Sequence, residues 1–159
     1  KLPVIFVLSE NHYAVSTTVD RASADTDFTK RAEPFGLKSF ETDGNDLLKV
    51  MDTMQQARDY AAENLRPCLV IEHTYRIAGH SKSDKNRYRT EQEIGYWNAH
   101  GPIVRFKDKL ISERISTAED IAALEAKARH IIADAADFAL KQPLADESTE
   151  ELLNAVYAD

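Results

Sequence analysis

The segment His73-Thr74-Tyr75-Arg76-Ile77-Ala78-Gly79-His80-Ser81-Lys82-Ser83-Asp84-Lys85-Asn86-Arg87-Tyr88-Arg89 concentrates the side chains best suited to chemistry. Arg76, Lys82, Lys85, Arg87 and Arg89 stand there with His73 and His80 against one aspartate, Asp84. The whole chain is otherwise acidic, with 27 Asp and Glu against 20 Lys and Arg. Guanidinium and ammonium groups interleaved with Gly and Ser supply charge-assisted donors to a phosphate or another anionic ligand. The same composition also fits a solvated polar loop, and composition alone leaves both readings open. Two shorter polar segments accompany it: Ser9-Glu10-Asn11-His12-Tyr13-Ala14-Val15-Ser16 and Asp43-Gly44-Asn45-Asp46. Each of the three follows a strand-like run. Ligands of open parallel sheets sit at the carboxyl ends of strands, so one site built from all three loops is expected.

The elements that must position them are readable from periodicity. Residues 3–8 and 67–72 are apolar runs rich in β-branched residues, expected as strands buried on both faces. Residues 37–42 form a weaker strand closed by the Asp43-Gly44 turn. Asn45 is the expected N-cap of a helix in which Leu47, Val50, Met51, Met54, Ala57 and Ala61 line a core face. That helix is expected to run to about Leu65, because the residue before Pro67 avoids the helical region. A shorter helix is expected over residues 27–34. After residue 90 the strand signals cease. Thr90 with Glu93 reads as a capping box opening a helix through Trp97. Pro102 opens another, carrying Ile103, Phe106, Leu110 and Ile111. Ser116 with Glu119 reads as a second capping box, followed by a stripe of Ile121, Leu124, Ala128, Ile131, Ala135 and Phe138 that Lys141 and Pro143 close. Ser148 with Glu151 opens a last helix ending near Tyr157.

The expected architecture is α/β: half of a doubly wound parallel sheet over residues 1–90, with a helical region over 91–159 packing on it and on partner subunits. Three parallel strands make a small sheet, so the missing half is expected on another chain. With 159 residues and 43% hydrophobic side chains the sequence suits a single core, and its periodic apolar blocks argue against disorder. No apolar run reaches the ~18 residues of a membrane span, and the amino-terminal run is too short for a signal peptide. The lone Cys68, expected as a small core residue, excludes a disulfide framework within the chain and fits a reducing, cytoplasmic compartment. A net charge of −7 argues against nucleic acid as partner. His73, His100 and His130 lack convincing metal-ligand spacing, and Trp97 is expected between helices.

The run Phe6-Val7-Leu8-Ser9-Glu10-Asn11-His12-Tyr13-Ala14-Val15-Ser16-Thr17 resembles the second half of the thiamine-diphosphate motif in alpha subunits of 2-oxoacid dehydrogenases. Asp43-Gly44-Asn45-Asp46 resembles that family's Asp-Gly-Asn-Asp at a helix start. Thr74-Tyr75-Arg76, Gly79-His80-Ser81-Lys82-Ser83-Asp84 and Arg87-Tyr88-Arg89 resemble its loop beside the cofactor, and Glu150-Glu151-Leu152 with Val156-Tyr157 its ordinary end. The likeness covers essentially the whole chain in order. It implies the carboxyl-terminal half of an alpha subunit of the pyruvate or acetoin type, which decarboxylates a 2-oxoacid, or cleaves acetoin, and passes the acyl group to a lipoyl domain.

Roles follow from the resemblance position by position. Asn11 matches a magnesium ligand through its side-chain oxygen, and Tyr13 one through its carbonyl; both are hard oxygens suited to magnesium on a diphosphate. Without the likeness, Asn11 reads as a turn residue. His80 matches the histidine beside the diphosphate and the reacting centre, and Ser81 its neighbour at the cofactor, a serine phosphorylated in mitochondrial relatives. Ser83, Asp84, Arg87, Tyr88 and Arg89 match the part that orders the loop and receives the lipoyl domain. The implied cofactors are thiamine diphosphate and Mg2+. The implied partners are an amino-terminal half bearing Gly-Asp-Gly (a separate chain or a missing segment), a beta-type subunit and the lipoyl domain of the acyltransferase. Three departures stand out: Glu10 replaces the first Asn of the family's pair, His12 a small or polar residue, and Lys85-Asn86 an Asp-Pro. The Gly-Asp-Gly segment, with its aspartate ligand, is expected before residue 1. The rival reading is a non-catalytic structural or regulatory subunit that retains the fold.

Overall fold

A computed structural model describes residues 1–144 and 148–156. The expected helix end near Tyr157 lies outside the described residues. The chain divides into two units, Lys1–Glu113 and Arg114–Asp159.

In the first unit, β1 (Ile5–Glu10), β4 (Lys38–Asp43) and β5 (Cys68–His73) form a parallel sheet in the order β1-β5-β4. Between β1 and β4 lie a two-residue ladder, β2 (Tyr13–Ala14) with β3 (Thr17–Thr18), and the short helix α1 (Val19–Ala22). The expected helix over 27–34 is instead two 3-10 turns, Phe28–Arg31 and Glu33–Phe35, which bury Phe28 and Ala32. Pro34 has no amide hydrogen to donate to a longer helical ladder. The crossover from β4 to β5 is α2 (Leu47–Asn64), which lays Ala57 and Ala61 on Cys68 and Val70, with Ile5, Phe40, Met54 and Tyr60 around them. The Cys68 thiol donates to the Ala57 carbonyl at 3.7 Å. Helices α3 (Glu91–Ala99) and α4 (Pro102–Ser112) complete this unit. The second holds α5 (Ala118–Lys141) and α6 (Thr149–Asn154).

Several local expectations are corrected. Strand β1 is not covered on both faces: it pairs with β5 alone, and Phe6 and Val7, which alternate across the sheet, are 52% and 51% exposed. An all-apolar strand carries no alternation from which covered and uncovered faces could be told apart. In the central β5, Cys68, Val70 and Ile71 are the fully buried residues. Met51 is 60% exposed, because at ~100° per residue it sits about 120° around α2 from Ala57, whereas Met54 stays on the stripe. The N-cap of α2 is Asp46, whose carboxylate accepts the amides of Leu48 and Lys49. Asn45 is buried and gives its own amide to the Asp43 carboxylate at 3.0 Å. The capping box of α5 is one residue on from Ser116: Thr117 and Asp120 exchange reciprocal bonds at 3.1 and 3.2 Å. Trp97 packs against an aromatic loop residue, Tyr75, at 4.9 Å and near-parallel, rather than between helices.

Candidate functional site

Parallel register sets the site's frame. Glu10, His73 and Asp43 are partners in one row at the carboxyl ends of β1, β5 and β4, so all three polar segments leave the sheet from one edge. The ladder continues past the strands: the Thr74 amide donates to the Glu10 carbonyl at 2.7 Å, and the Arg76 amide to the Asn11 carbonyl at 3.2 Å. The Gly44 amide donates to the His73 carbonyl at 2.9 Å. A Cβ on Gly44 would stand 2.4 Å from Thr74 Cγ2, so the turn after β4 can approach the end of β5 only with glycine there.

After β1 the backbone turns sharply. Asn11 Oδ1 accepts the Tyr13 amide at 3.2 Å, and buried Glu10 accepts the His12 amide at 2.7 Å. His12 (φ 71°) and Val15 (φ 57°) both lie in the left-handed region. For a β-branched residue that is a genuine outlier, with a cost on the order of 1–3 kcal/mol. Arg76 holds the strained turn by donating from Nη2 to the Val15 carbonyl at 2.5 Å.

The basic loop separates into inner and outer cations. Arg89 is buried, 7% exposed, and donates to the carbonyls of Arg76 (2.5 Å) and Ile77 (3.3 Å), to Asn86 Oδ1 (2.5 Å) and to the Tyr75 hydroxyl (3.4 Å). Its guanidinium lies 5.5–5.8 Å from the ring centres of Tyr13, Tyr75 and Tyr88. Nε of Arg76 and of Arg89 is buried without a hydrogen-bond partner, and the surrounding rings supply the compensating attraction. Lys82, Lys85 and Arg87 are exposed, as are His80, Ser81 and Ser83. Asp84 is the loop's hub. It accepts the Tyr88 hydroxyl at 2.6 Å and the amides of His80 and Asn86, each at 2.8 Å. Those bonds, the Tyr88 hydroxyl first, hold its carboxyl down at about 2. Tyr88 in turn is raised, chiefly by Asp84, and also receives Arg76 Nη2 at 2.6 Å.

Three partnerships lay beyond sequence reasoning because they join distant segments. Glu93, read there only as a cap residue, accepts the hydroxyls of Tyr13 (2.6 Å) and Tyr75 (2.9 Å) on one oxygen, while Thr90 Oγ1 accepts the Glu93 amide at 3.1 Å. Burial pushes its carboxyl up, but the two phenols, the Thr90 amide and the Arg89 charge outweigh that and hold it below the usual carboxylate range. Burial, then Glu93, drives the Tyr13 phenol upward. Arg105, from α4, donates to Asp43 at 2.8 Å and Asp46 at 3.3 Å. Burial raises the Asp43 carboxyl, and Arg105 with the Asn45 amide reverses the balance to a net lowering. His73, finally, lies 3.6 Å from Glu10 and 3.1 Å from Glu41. A cleft of about 520 Å³ opens beside these groups, lined by His12, Asp43, His73, Tyr96, Trp97, His100 and Arg105. Only opposite charges at consistent loop geometry could have signalled any of this in the sequence.

The structure therefore places Asn11, Tyr13, Tyr88 and Arg89 in one connected network, through Tyr75, Arg76, Asp84 and Glu93. His80 enters through its backbone amide on Asp84; its ring has no partner among the described residues. Ser81 and Ser83 pair with each other at 3.1 Å, and Arg87 stands apart.

The chain resembles known proteins along almost its whole length. Residues 1–148 match the family model described as dehydrogenase E1 component. Among curated proteins, the pyruvate dehydrogenase E1 component subunit alpha of Rickettsia conorii is 33% identical over 156 residues, 98% of this chain and 47% of that protein. The subunit of the same name from Rhizobium meliloti is 36% identical over 149 residues, 93% of this chain and 43% of that protein. The chloroplastic pyruvate dehydrogenase E1 component subunit alpha-3 of Oryza sativa is 32% identical over 159 residues, 100% of this chain and 37% of that protein. The chain spans about half the length, or less, of the curated relatives it matches.

Proposed function

The chain belongs to the dehydrogenase E1 component family, within the thiamine-diphosphate-dependent 2-oxoacid dehydrogenases, and from that premise we propose that it supplies half of a magnesium-diphosphate site and the loop over it. The observation that carries the reading is convergence: the Asn11–Tyr13 turn and the His80–Arg89 loop leave one sheet edge and are tied together by Arg76, Arg89 and Glu93.

The donor set fits the cofactor. Asn11 Oδ1 and the Tyr13 carbonyl are hard oxygens within three residues, held in a turn whose left-handed backbone nothing in the local sequence would favour. When bound, thiamine diphosphate supplies the carbon nucleophile and electron sink on which a 2-oxoacid loses its carboxylate. Asn11 and Tyr13 would hold the magnesium through the Asn11 side-chain oxygen and the Tyr13 carbonyl. His80, with an exposed ring that has no partner among the described residues, is free to donate to a diphosphate oxygen or to pass a proton. Ser81 adds a hydroxyl beside it. The Asp84 hub keeps that segment in one shape. Exposed Ser83 and Arg87, with half-buried Asp84 and Tyr88, face outward enough to receive a lipoyl domain, while Arg89 orders the loop from inside.

The relatives' names favour pyruvate as the 2-oxoacid. A beta-type subunit completes the site, and a segment bearing Gly-Asp-Gly supplies the remaining carboxylate ligand. The buried Cys68 suits work in a reducing compartment such as the cytoplasm. No helix among the described residues is long and apolar enough to cross a membrane. The test is reconstitution of the full-length subunit with its beta-type partner and a lipoyl domain, assayed with pyruvate, longer 2-oxoacids and acetoin. Acyl transfer that requires thiamine diphosphate and magnesium is the expected result. A properly assembled complex that is inert with all of them would support the structural-subunit reading instead.

A further inference from the structure

We infer that Glu93 is a positioning residue for the magnesium-diphosphate site: through the hydroxyls of Tyr13 and Tyr75 it fixes both the main chain of the Asn11–Tyr13 turn and the root of the loop that bears His80. The inference rests on the proposed cofactor reading and deepens it.

Glu93 lies on α3, outside both segments it joins. One carboxylate oxygen accepts two phenols, from a residue 80 positions upstream at 2.6 Å and from one 18 positions upstream at 2.9 Å. Charge-assisted O–H···O bonds of that length are the stronger kind, and they meet on a group that is itself only partly exposed. Tyr75 is 7% exposed, so without Glu93 its hydroxyl would keep only the long contact from Arg89.

The main chain around Tyr13 needs such a hold. His12 and Val15, on either side of it, both have positive φ and would relax if released. Two side chains from outside the turn restrain it: Arg76 on the Val15 carbonyl and Glu93 on the Tyr13 hydroxyl. Rings add a lateral clamp, with Tyr75 and Tyr88 at 6.0 and 5.4 Å from the Tyr13 ring. The Tyr13 side chain is therefore a strut between α3 and the very backbone that offers its carbonyl to magnesium. Removing the carboxylate frees the strut without touching a ligand.

Metal affinity separates positioning from mere stability. The full-length subunit, assembled with its partner, is titrated calorimetrically with Mg2+ at fixed thiamine diphosphate. Loss of an outer hydrogen-bond partner weakens metal binding by roughly 10–100-fold, so Glu93→Ala is expected to raise the apparent Kd at least about tenfold. Glu93→Gln keeps an acceptor oxygen and is expected to recover most of that loss. Tyr13→Phe keeps the carbonyl but removes the strut, and is expected to weaken binding in the same direction, by no more than Glu93→Ala, because the Tyr75 bond to Glu93 remains. The double variant is expected to be no worse than Glu93→Ala alone, since Tyr13→Phe breaks one of the two bonds that Glu93→Ala removes. An unchanged circular dichroism spectrum certifies each assembled variant as folded. Should Glu93→Ala fail that control, Tyr13→Phe and Glu93→Gln carry the comparison. Wild-type affinity in the folded variants, or additive losses in the double variant, overturns the inference. A wild-type complex that binds no thiamine diphosphate with magnesium overturns the cofactor reading first, and this inference with it.

Discussion

His80 is held by its backbone and left free at its ring. Its amide is pinned to Asp84 at 2.8 Å, while the imidazole is exposed and has no partner among the described residues. A side chain used for packing would show the reverse pattern. His80→Ala is therefore expected to lower turnover of the assembled enzyme about a hundredfold or more, the scale of a lost proton-transfer group, with the circular dichroism spectrum unchanged. Turnover at the wild-type rate would reduce His80 to a surface residue. At this scale the sequence was legible where contacts stay within one segment, as in the turn that Asn11 Oδ1 closes on the Tyr13 amide. It was blind to the division of labour among the cations. Arg76, Arg87 and Arg89 look equivalent as letters, yet Arg89 is buried under three tyrosine rings and Arg87 is exposed. What decides between them is long-range contact, and no local pattern encodes it.

The loop behaves as an element although it has no regular structure, because Asp84 replaces a ladder with three bonds to one carboxylate. Its pKa of about 2 lies below the ordinary range near 4. A depressed carboxylate stabilises the ordered loop above its unfolded pKa, and that contribution is lost as pH falls through the folded value. Loop order is thus expected to be constant at neutral pH and to fail between about pH 4 and 2. The amide resonances of His80 and Asn86, followed by NMR, should titrate together with a midpoint near the low end of that window. Titration near 4 would mean that the hub is not formed in solution. The Asp43–Asp46 turn makes a second element-scale case. Gly44→Ala would bring a methyl to 2.4 Å from Thr74 Cγ2, an overpacking expected to cost about 1–3 kcal/mol in a denaturant melt. Thr74→Ser, which deletes that Cγ2, is expected to return part of the loss in the double variant. Elements whose signals are local and long were readable in advance: the three sheet strands and the helices over Leu47–Asn64 and Ala118–Lys141. The two-residue ladder at Tyr13–Ala14 and Thr17–Thr18 was not, since its turn places Val15 at a φ that valine disfavours.

For the whole molecule, the decisive quantity is how many magnesium ligands one chain can offer. Magnesium takes about six oxygens, most of them from diphosphate and water, with few protein donors to spare. In the proposed site those are Asn11 Oδ1, which already accepts the Tyr13 amide, and the Tyr13 carbonyl. Among the described residues no three His, Cys, Asp or Glu side chains gather as a metal site. In the proposed half-site the strongest ligand for a hard cation, a carboxylate, comes from the Gly-Asp-Gly segment. Strand β1 points to the same dependence: it pairs on one side only, with Phe6 and Val7 about half exposed. An unpaired parallel strand with apolar side chains in water invites another strand to cover it. The chain of 159 residues by itself is therefore expected to bind thiamine diphosphate and magnesium weakly, and to tend to associate. Affinity should appear when a polypeptide bearing the Gly-Asp-Gly segment is added. Calorimetric titration of the mass-verified chain, alone and with that partner, makes the comparison. Micromolar binding at one site per chain in the absence of the partner would show that Asn11 and Tyr13 belong to a complete site rather than to half of one.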